Sequence, residues 1–112
     1  MNASVEAPVA GARGKEELLA RLRANRHAIR SQGVRRLELF GSFARGEEGS
    51  ESDVDLLVEF EPGEKTWDHF LELSLLLEEI LGRRVELLTR ESLSPYIGPR
   101  ILEEAEDVPL GA

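Results

Sequence analysis

The chain alternates between stretches whose apolar residues recur at helical spacing and short runs with the two-residue period of a strand. From Lys15 to Ser31, Leu18, Leu22 and Ile29 fall near one face and charged residues fill the rest, which predicts an amphipathic helix stopped by Gly33. Arg35 to Phe40 alternates Leu37 and Leu39 with Arg36 and Glu38 and predicts a strand. Gly41-Ser42 follows directly, and Phe43 to Arg45 reads as the start of a short helix. Gly46 to Ser52 is a polar loop. Val54 to Phe60 predicts a second strand, ended by Pro62-Gly63. Thr66 to Leu81 predicts a Leu-rich second helix, capped by Thr66 and stopped by Gly82. Arg84 to Thr89 predicts a third strand, Ser92 to Pro99 is irregular, and Ile101 to Asp107 predicts a short last helix with a start as early as Ile97. This order predicts an α/β (α+β) fold, a small mixed sheet packed with helices.

Length and charge narrow the picture. With 112 residues the chain fits one domain, over residues 15–112, that can bury roughly two-thirds of its unfolded surface without staples. Residues 1–14, MNASVEAPVAGARG, lack the basic start and apolar stretch of a signal peptide and read as a disordered leader. No apolar run approaches membrane-spanning length, so no membrane partner is expected. The 22 acidic and 14 basic residues leave a net charge of -8, which repels a phosphate backbone and disfavours nucleic acid as a partner. Cysteine is absent, which excludes disulfides and thiolate metal sites and is compatible with a cytoplasmic location.

The chemistry concentrates where the first two strands meet. Asp53-Val54-Asp55 opens the second strand, and side chains two apart on a strand share a face. Asp53 and Asp55 are therefore expected to project together, with Leu57 continuing their face and Val54, Leu56, Val58 and Phe60 lining the other. Two adjacent carboxylates repel each other unless a proton, a basic neighbour or a cation intervenes. Oxygen ligands of this kind suit Mg²⁺, which keeps waters and substrate phosphates in its shell. Gly41 allows close backbone approach to a phosphate. The Ser42 hydroxyl and the N–H groups after it can hydrogen-bond phosphate oxygens, and Arg45 adds a charged donor. Glu86, an acid flanked by apolar strand residues, is the candidate third carboxylate.

The segment GSFARGEEGSESDVDLLVEF resembles the Gly-Ser, ten-residue spacer, Asp-x-Asp signature of the nucleotidyltransferase superfamily that includes polymerase beta, and is most similar to its minimal nucleotidyltransferase (MNT) branch. The resemblance runs from about Lys15 to Val108 and implies the polymerase beta-like nucleotidyltransferase fold. It implies that Asp53 and Asp55 bind Mg²⁺ and the triphosphate of ATP, and that Gly41 and Ser42 hold phosphates. It also implies a role as antitoxin beside a HEPN-domain ribonuclease toxin, with AMP moved from ATP to a tyrosine of that toxin. The family's third metal-site position is usually Asp, whereas here Glu86 stands there. The extra methylene moves the carboxylate by about 1.5 Å, a misplacement that can cost about a hundredfold in rate. A non-catalytic, nucleotide-binding antitoxin that neutralises its partner by complex formation is the alternative, and a homo-oligomer is compatible with either.

Other residues read as structural. His27 and His69 are expected on the surface, too far apart for a metal site. Trp67 and Phe70 are expected to pack the second helix on the sheet. The leucines of that helix cover more than one face, which fits a buried helix or a partner-binding stripe. Arg83 and Arg84 read as a solvated edge or a partner contact, Tyr96 as local packing, and Glu103, Glu104, Glu106 and Asp107 as a solvated charge run.

Overall fold

The strand from Val54 to Phe60 is apolar on the face of Val54, Leu56, Val58 and Phe60 and carries Asp55, Leu57 and Glu59 on the other, and the sheet is built around it. The computed structural model describes residues 10–111. Its elements in chain order are α1 (Lys15–Ala24), α2 (Arg26–Arg30), β1 (Val34–Phe40), α3 (Ser42–Arg45), β2 (Val54–Phe60), α4 (Trp67–Leu81), β3 (Val85–Thr89), a 3-10 turn (Arg90–Ser92), α5 (Gly98–Glu104) and β4 (Glu106–Asp107). The sheet order is β3-β2-β1-β4. β1 runs antiparallel to β2 and to β4, while β2 and β3 are parallel. A parallel pair needs a crossover, and α4 supplies it. The expected mixed α/β architecture is what the chain forms.

One face of the sheet, with Leu37, Leu39, Val54, Leu56, Val58, Val85 and Leu87, packs against Leu18, Leu22 and Ile29 of the first two helices and Leu73, Leu77 and Leu81 of α4. All of these side chains are buried, which makes this layer the core. The helix expected over Lys15–Ser31 is interrupted at Asn25. There Asn25 Nδ2 donates to the Arg21 carbonyl at 2.8 Å, a local side-chain bond that competes with continued helix. The α4 ends match their sequence signals. Thr66 Oγ1 accepts the His69 N–H at 3.1 Å, and Gly82 closes the helix at φ 64°.

Three expectations are corrected. Trp67 is 73% exposed and stacks on Phe70 rather than entering the core, because the α4 side chains turned to the core are Leu73, Leu77 and Leu81, and 3.6 residues per turn set Trp67 off that face. Tyr96 is 93% exposed rather than packed, because it lies in the irregular segment before α5. The last helix stops at Glu104, and Glu106–Asp107 pairs with Leu39 and Glu38 as β4. Burial of Val108 and Leu110 draws this segment onto the β1 edge, where the Val108 N–H donates to the Leu37 carbonyl at 2.9 Å. Val108 also precedes a proline, which disfavours helix there.

Of the leader expected over residues 1–14, residues 1–9 lie outside the described residues. Ala12 is fully buried, its N–H donates to the Leu81 carbonyl at 2.9 Å, and the Ala10 carbonyl accepts from Arg21 Nη1 at 2.7 Å. No helix among the described residues is long and apolar enough to cross a membrane.

Candidate active site

Strand register brings the candidate groups together. The parallel pairing of β2 and β3 sets Asp55 level with Glu86, and the antiparallel pairing of β1 and β2 sets Phe40 opposite Asp55. Gly41, the next residue, therefore turns beside the Asp55 carboxylate. It adopts φ 79° and ψ −156°, left-handed backbone that disfavours any side chain. A Cβ built on Gly41 would stand 2.9 Å from Asp55 Cγ, and closer still to Oδ2. Glycine is the residue that lets turn and carboxylate meet.

The Asp55 carboxyl is pushed up to about 7, first by burial, then by the hydrogen bond and charge of Glu86 and the charge of Asp53, with Arg45 acting in the opposite sense. Burial is the main cause, the neighbouring acids add to it, and Arg45 offsets only part of it. The Asp55–Glu86 pair opens into a cleft of about 690 Å³, walled by Phe40, Gly41, Asp55, Glu86 and Leu88 on the sheet side and by Ile97, Arg100, Ile101 and Glu104 on the other. A smaller hollow of about 360 Å³, with Arg35 and Phe60 in its lining, lies at the other end of β2, away from these acids.

The candidate residues divide. Asp55, Glu86, Gly41 and Arg45 line one cleft. Asp53 does not line this cleft: its Oδ1 lies 3.5 Å from Arg84 Nε, and it opens on a separate small hollow beside Ser52 and Arg83. Ser42 is half-buried at the start of α3 and does not line the cleft. Among the described residues, no three acidic or histidine side chains converge as a ready-made cation cage. The donor set is instead a carboxylate pair with open space in front. This fits a Mg²⁺ ion that draws the rest of its shell from phosphates and water.

The C-terminal segment contributes residues read from the sequence as solvated. Glu104 Oε2 accepts the Gly41 N–H at 2.7 Å, and both Glu104 oxygens accept from Arg45 Nη1 at 3.1 Å. Arg45 Nε donates to Glu47 at 2.9 Å. The four-residue spacing of Ile97 with Ile101, and of Arg100 with Glu104, is a legible sign that one helix face looks inward. Arg83 is likewise not a solvated edge. Its Nε donates to the Ala12 carbonyl at 2.6 Å, its Nη1 reaches the Ser52 carbonyl at 2.9 Å, and its guanidinium lies 4.9 Å from the Phe43 ring centroid.

A sheet that holds paired acids against a Gly-Ser turn defines the nucleotidyl-transferring class of site. Residues 22–108 match the nucleotidyltransferase domain family, and the chain belongs to that family. It is 41% identical over 90 residues to the protein adenylyltransferase MntA of Thermococcus cleftensis, a match covering 80% of this chain and 90% of that relative. A solved structure described provisionally as a minimal nucleotidyltransferase is 41% identical and superposes with a TM-score of 0.63, covering 81% of this chain and 94% of the other. A toxin-antitoxin crystal structure with AMP-PNP shares the fold at 21% identity and a TM-score of 0.59, covering 84% of this chain and 71% of the other. The nucleotidyltransferase fold and class read from the signature are therefore those of the chain.

Proposed function

We propose that residues 15–112 act as one minimal, cytoplasmic nucleotidyltransferase domain that moves AMP from ATP to a hydroxyl of a partner protein, and that the partner is the HEPN-domain toxin of a toxin–antitoxin pair. The observation that carries this reading is the Asp55–Glu86 pair set against the Gly41 turn at one wall of an open cleft. A divalent cation such as Mg²⁺ would be held by Asp53 and Asp55, with Glu86 as the candidate third ligand, and would supply neutralisation of the triphosphate and polarisation of its α-phosphate.

The chain's own groups do the rest. The Gly41 N–H donates to β- and γ-phosphate oxygens and Arg45 adds positive charge, while the Ser42 hydroxyl, which does not line the cleft, joins them only if its side chain turns toward it. Glu86, the exposed member of the pair, either completes the cation site or takes the acceptor's hydroxyl proton. The acceptor oxygen then bonds to the α-phosphorus, the bridge to the β-phosphate breaks, and pyrophosphate leaves.

A protein acceptor is supported by the name of the Thermococcus relative, and a toxin partner by the assembly named for the structural neighbour. Ile97, which lines the cleft, and its neighbour Tyr96 are both exposed and offer apolar contact to a macromolecule. The net charge of -8 opposes a polynucleotide acceptor. One observation favours a second reading, neutralisation by complex formation alone: Asp53 is paired with Arg84 instead of facing the cleft.

Intact mass of the HEPN-domain toxin encoded in the same genome, after incubation with ATP, Mg²⁺ and this protein, separates the two. An AMP mass gained with wild type and absent with Asp55→Asn supports transfer. Full neutralisation of the partner with no mass gain sinks it in favour of the second reading.

A further inference from the structure

Two of the three donors that the proposed function assigns to phosphate, the Gly41 N–H and Arg45, are already engaged by a carboxylate of the chain itself. Glu104 Oε2 accepts the Gly41 N–H at 2.7 Å, and the same carboxylate lies 3.1 Å from Arg45 Nη1 through both oxygens. A carboxylate and a phosphate present the same features to such donors: negative charge and oxygens in a plane that a backbone N–H and a guanidinium can share. Glu104 is the last residue of α5, and the chain turns at Ala105 into β4 on the β1 edge. That connection aims its side chain at the turn following β1. The rest of α5 is lightly held, since only Gly98 of its seven residues is buried. Elements with few buried contacts lie at the low-stability end of a fold and move at little cost.

We propose that Glu104 is a built-in competitor for the nucleotide, a latch on α5 that occupies the phosphate cradle and must let go of Gly41 and Arg45 before a triphosphate seats. The inference rests on the nucleotide reading of the same cleft and adds its regulation. The cradle exists in two states, closed by Glu104 or open to phosphate, and the apparent affinity is the intrinsic one reduced by the open fraction. A partner that grips α5 from its exposed side would favour the open state and so prime the site.

The test measures binding of Mg·ATP and of inorganic tripolyphosphate by titration calorimetry to wild type, Glu104→Gln, Glu104→Asp and Glu103→Gln, each checked by circular dichroism and thermal melting. Glu104→Gln removes the charge, and Glu104→Asp keeps it but shortens its reach by one methylene. Both bind either probe more tightly than wild type, by about tenfold if the latch is closed nine-tenths of the time. Glu103→Gln changes the same net charge from an exposed neighbouring position and leaves affinity at the wild-type value. In wild type, Mg·ATP also speeds hydrogen exchange at the Ala105 amide, which in the apo protein donates to the Ile101 carbonyl at 2.9 Å. Equal affinity in wild type and both Glu104 variants overturns the latch while leaving the nucleotide site standing. A gain in Glu104→Gln matched by Glu103→Gln also overturns it, since bulk charge then explains the effect. Failure of every protein to bind either probe overturns the nucleotide reading itself, and the latch with it.

Discussion

The carboxylate of Asp55 lies against the bare Cα of Gly41. A Cβ at that position would stand 2.9 Å from Asp55 Cγ, and the backbone there holds φ at 79°. The turn after β1 and the acid near the start of β2 are thus fitted to each other, and the fit is what gathers the Gly41 N–H and the carboxylates around one point.

Gly41→Ala meets both penalties at once, the left-handed backbone and the collision with Asp55. We expect a loss of about 1–3 kcal/mol in urea unfolding. Because displacement of Asp55 misplaces the reacting groups, transfer to the partner should fall by about a hundredfold. A variant that unfolds with wild type and transfers at full rate would show that the turn has slack the geometry denies.

The raised Asp55 carboxyl carries a stability consequence with a definite sign. Its folded value of about 7 lies above the ordinary 3.8, so between those values the native state keeps a proton that the unfolded chain releases. The metal-free fold therefore loses stability as pH climbs through that window and levels off above it. Asp55 is half-exposed, so solvent screening holds the effect to the order of 1 kcal/mol. In melts with chelator, the advantage of Asp55→Asn over wild type should grow from pH 4 to pH 7. Added Mg²⁺ should raise the wild-type midpoint at pH 8 and leave Asp55→Asn where it was. A pH-independent gap between the two proteins would count against this account.

Arg83 ties three segments together. It donates to the carbonyls of Ala12 at 2.6 Å, Ser50 at 3.2 Å and Ser52 at 2.9 Å, and it covers the Phe43 ring. Lysine has one point charge and no planar fork, so Arg83→Lys cannot hold these positions together. We expect a cost of about 2 kcal/mol and faster protease cleavage in the loop leading to Asp53. Unchanged stability and unchanged cleavage would return Arg83 to the status of a surface charge.

Leu77 and Trp67 lie on the same helix and differ in what they touch. Leu77 is fully buried against the sheet, and Trp67 is 73% exposed. Leu77→Ala should cost about 2–5 kcal/mol, whereas Trp67→Ala should stay within about 0.5 kcal/mol. Comparable losses in the two variants would mean that Trp67 is covered in solution.

Much of this was legible in the residues themselves because it depends on local periodicity and on short motifs. The alternation at Leu37 and Leu39, the apolar run from Val54 and the Thr66-to-Gly82 frame of α4 announce their elements through backbone geometry that neighbours in sequence control. The Gly-Ser step, its spacing to Asp53 and Asp55, and the isolated Glu86 pointed to a phosphate-and-cation site before any strand was paired. Position within the fold was another matter. Whether Asp53 faces the cleft or Arg84, whether Glu104 is solvated or seated on Gly41, and whether Glu106 and Asp107 continue a helix or edge the sheet all depend on residues 30 to 70 positions away. Register, edge pairing and the burial of Val108 and Leu110 decide those contacts, and such long-range energies leave no periodic trace in the chain.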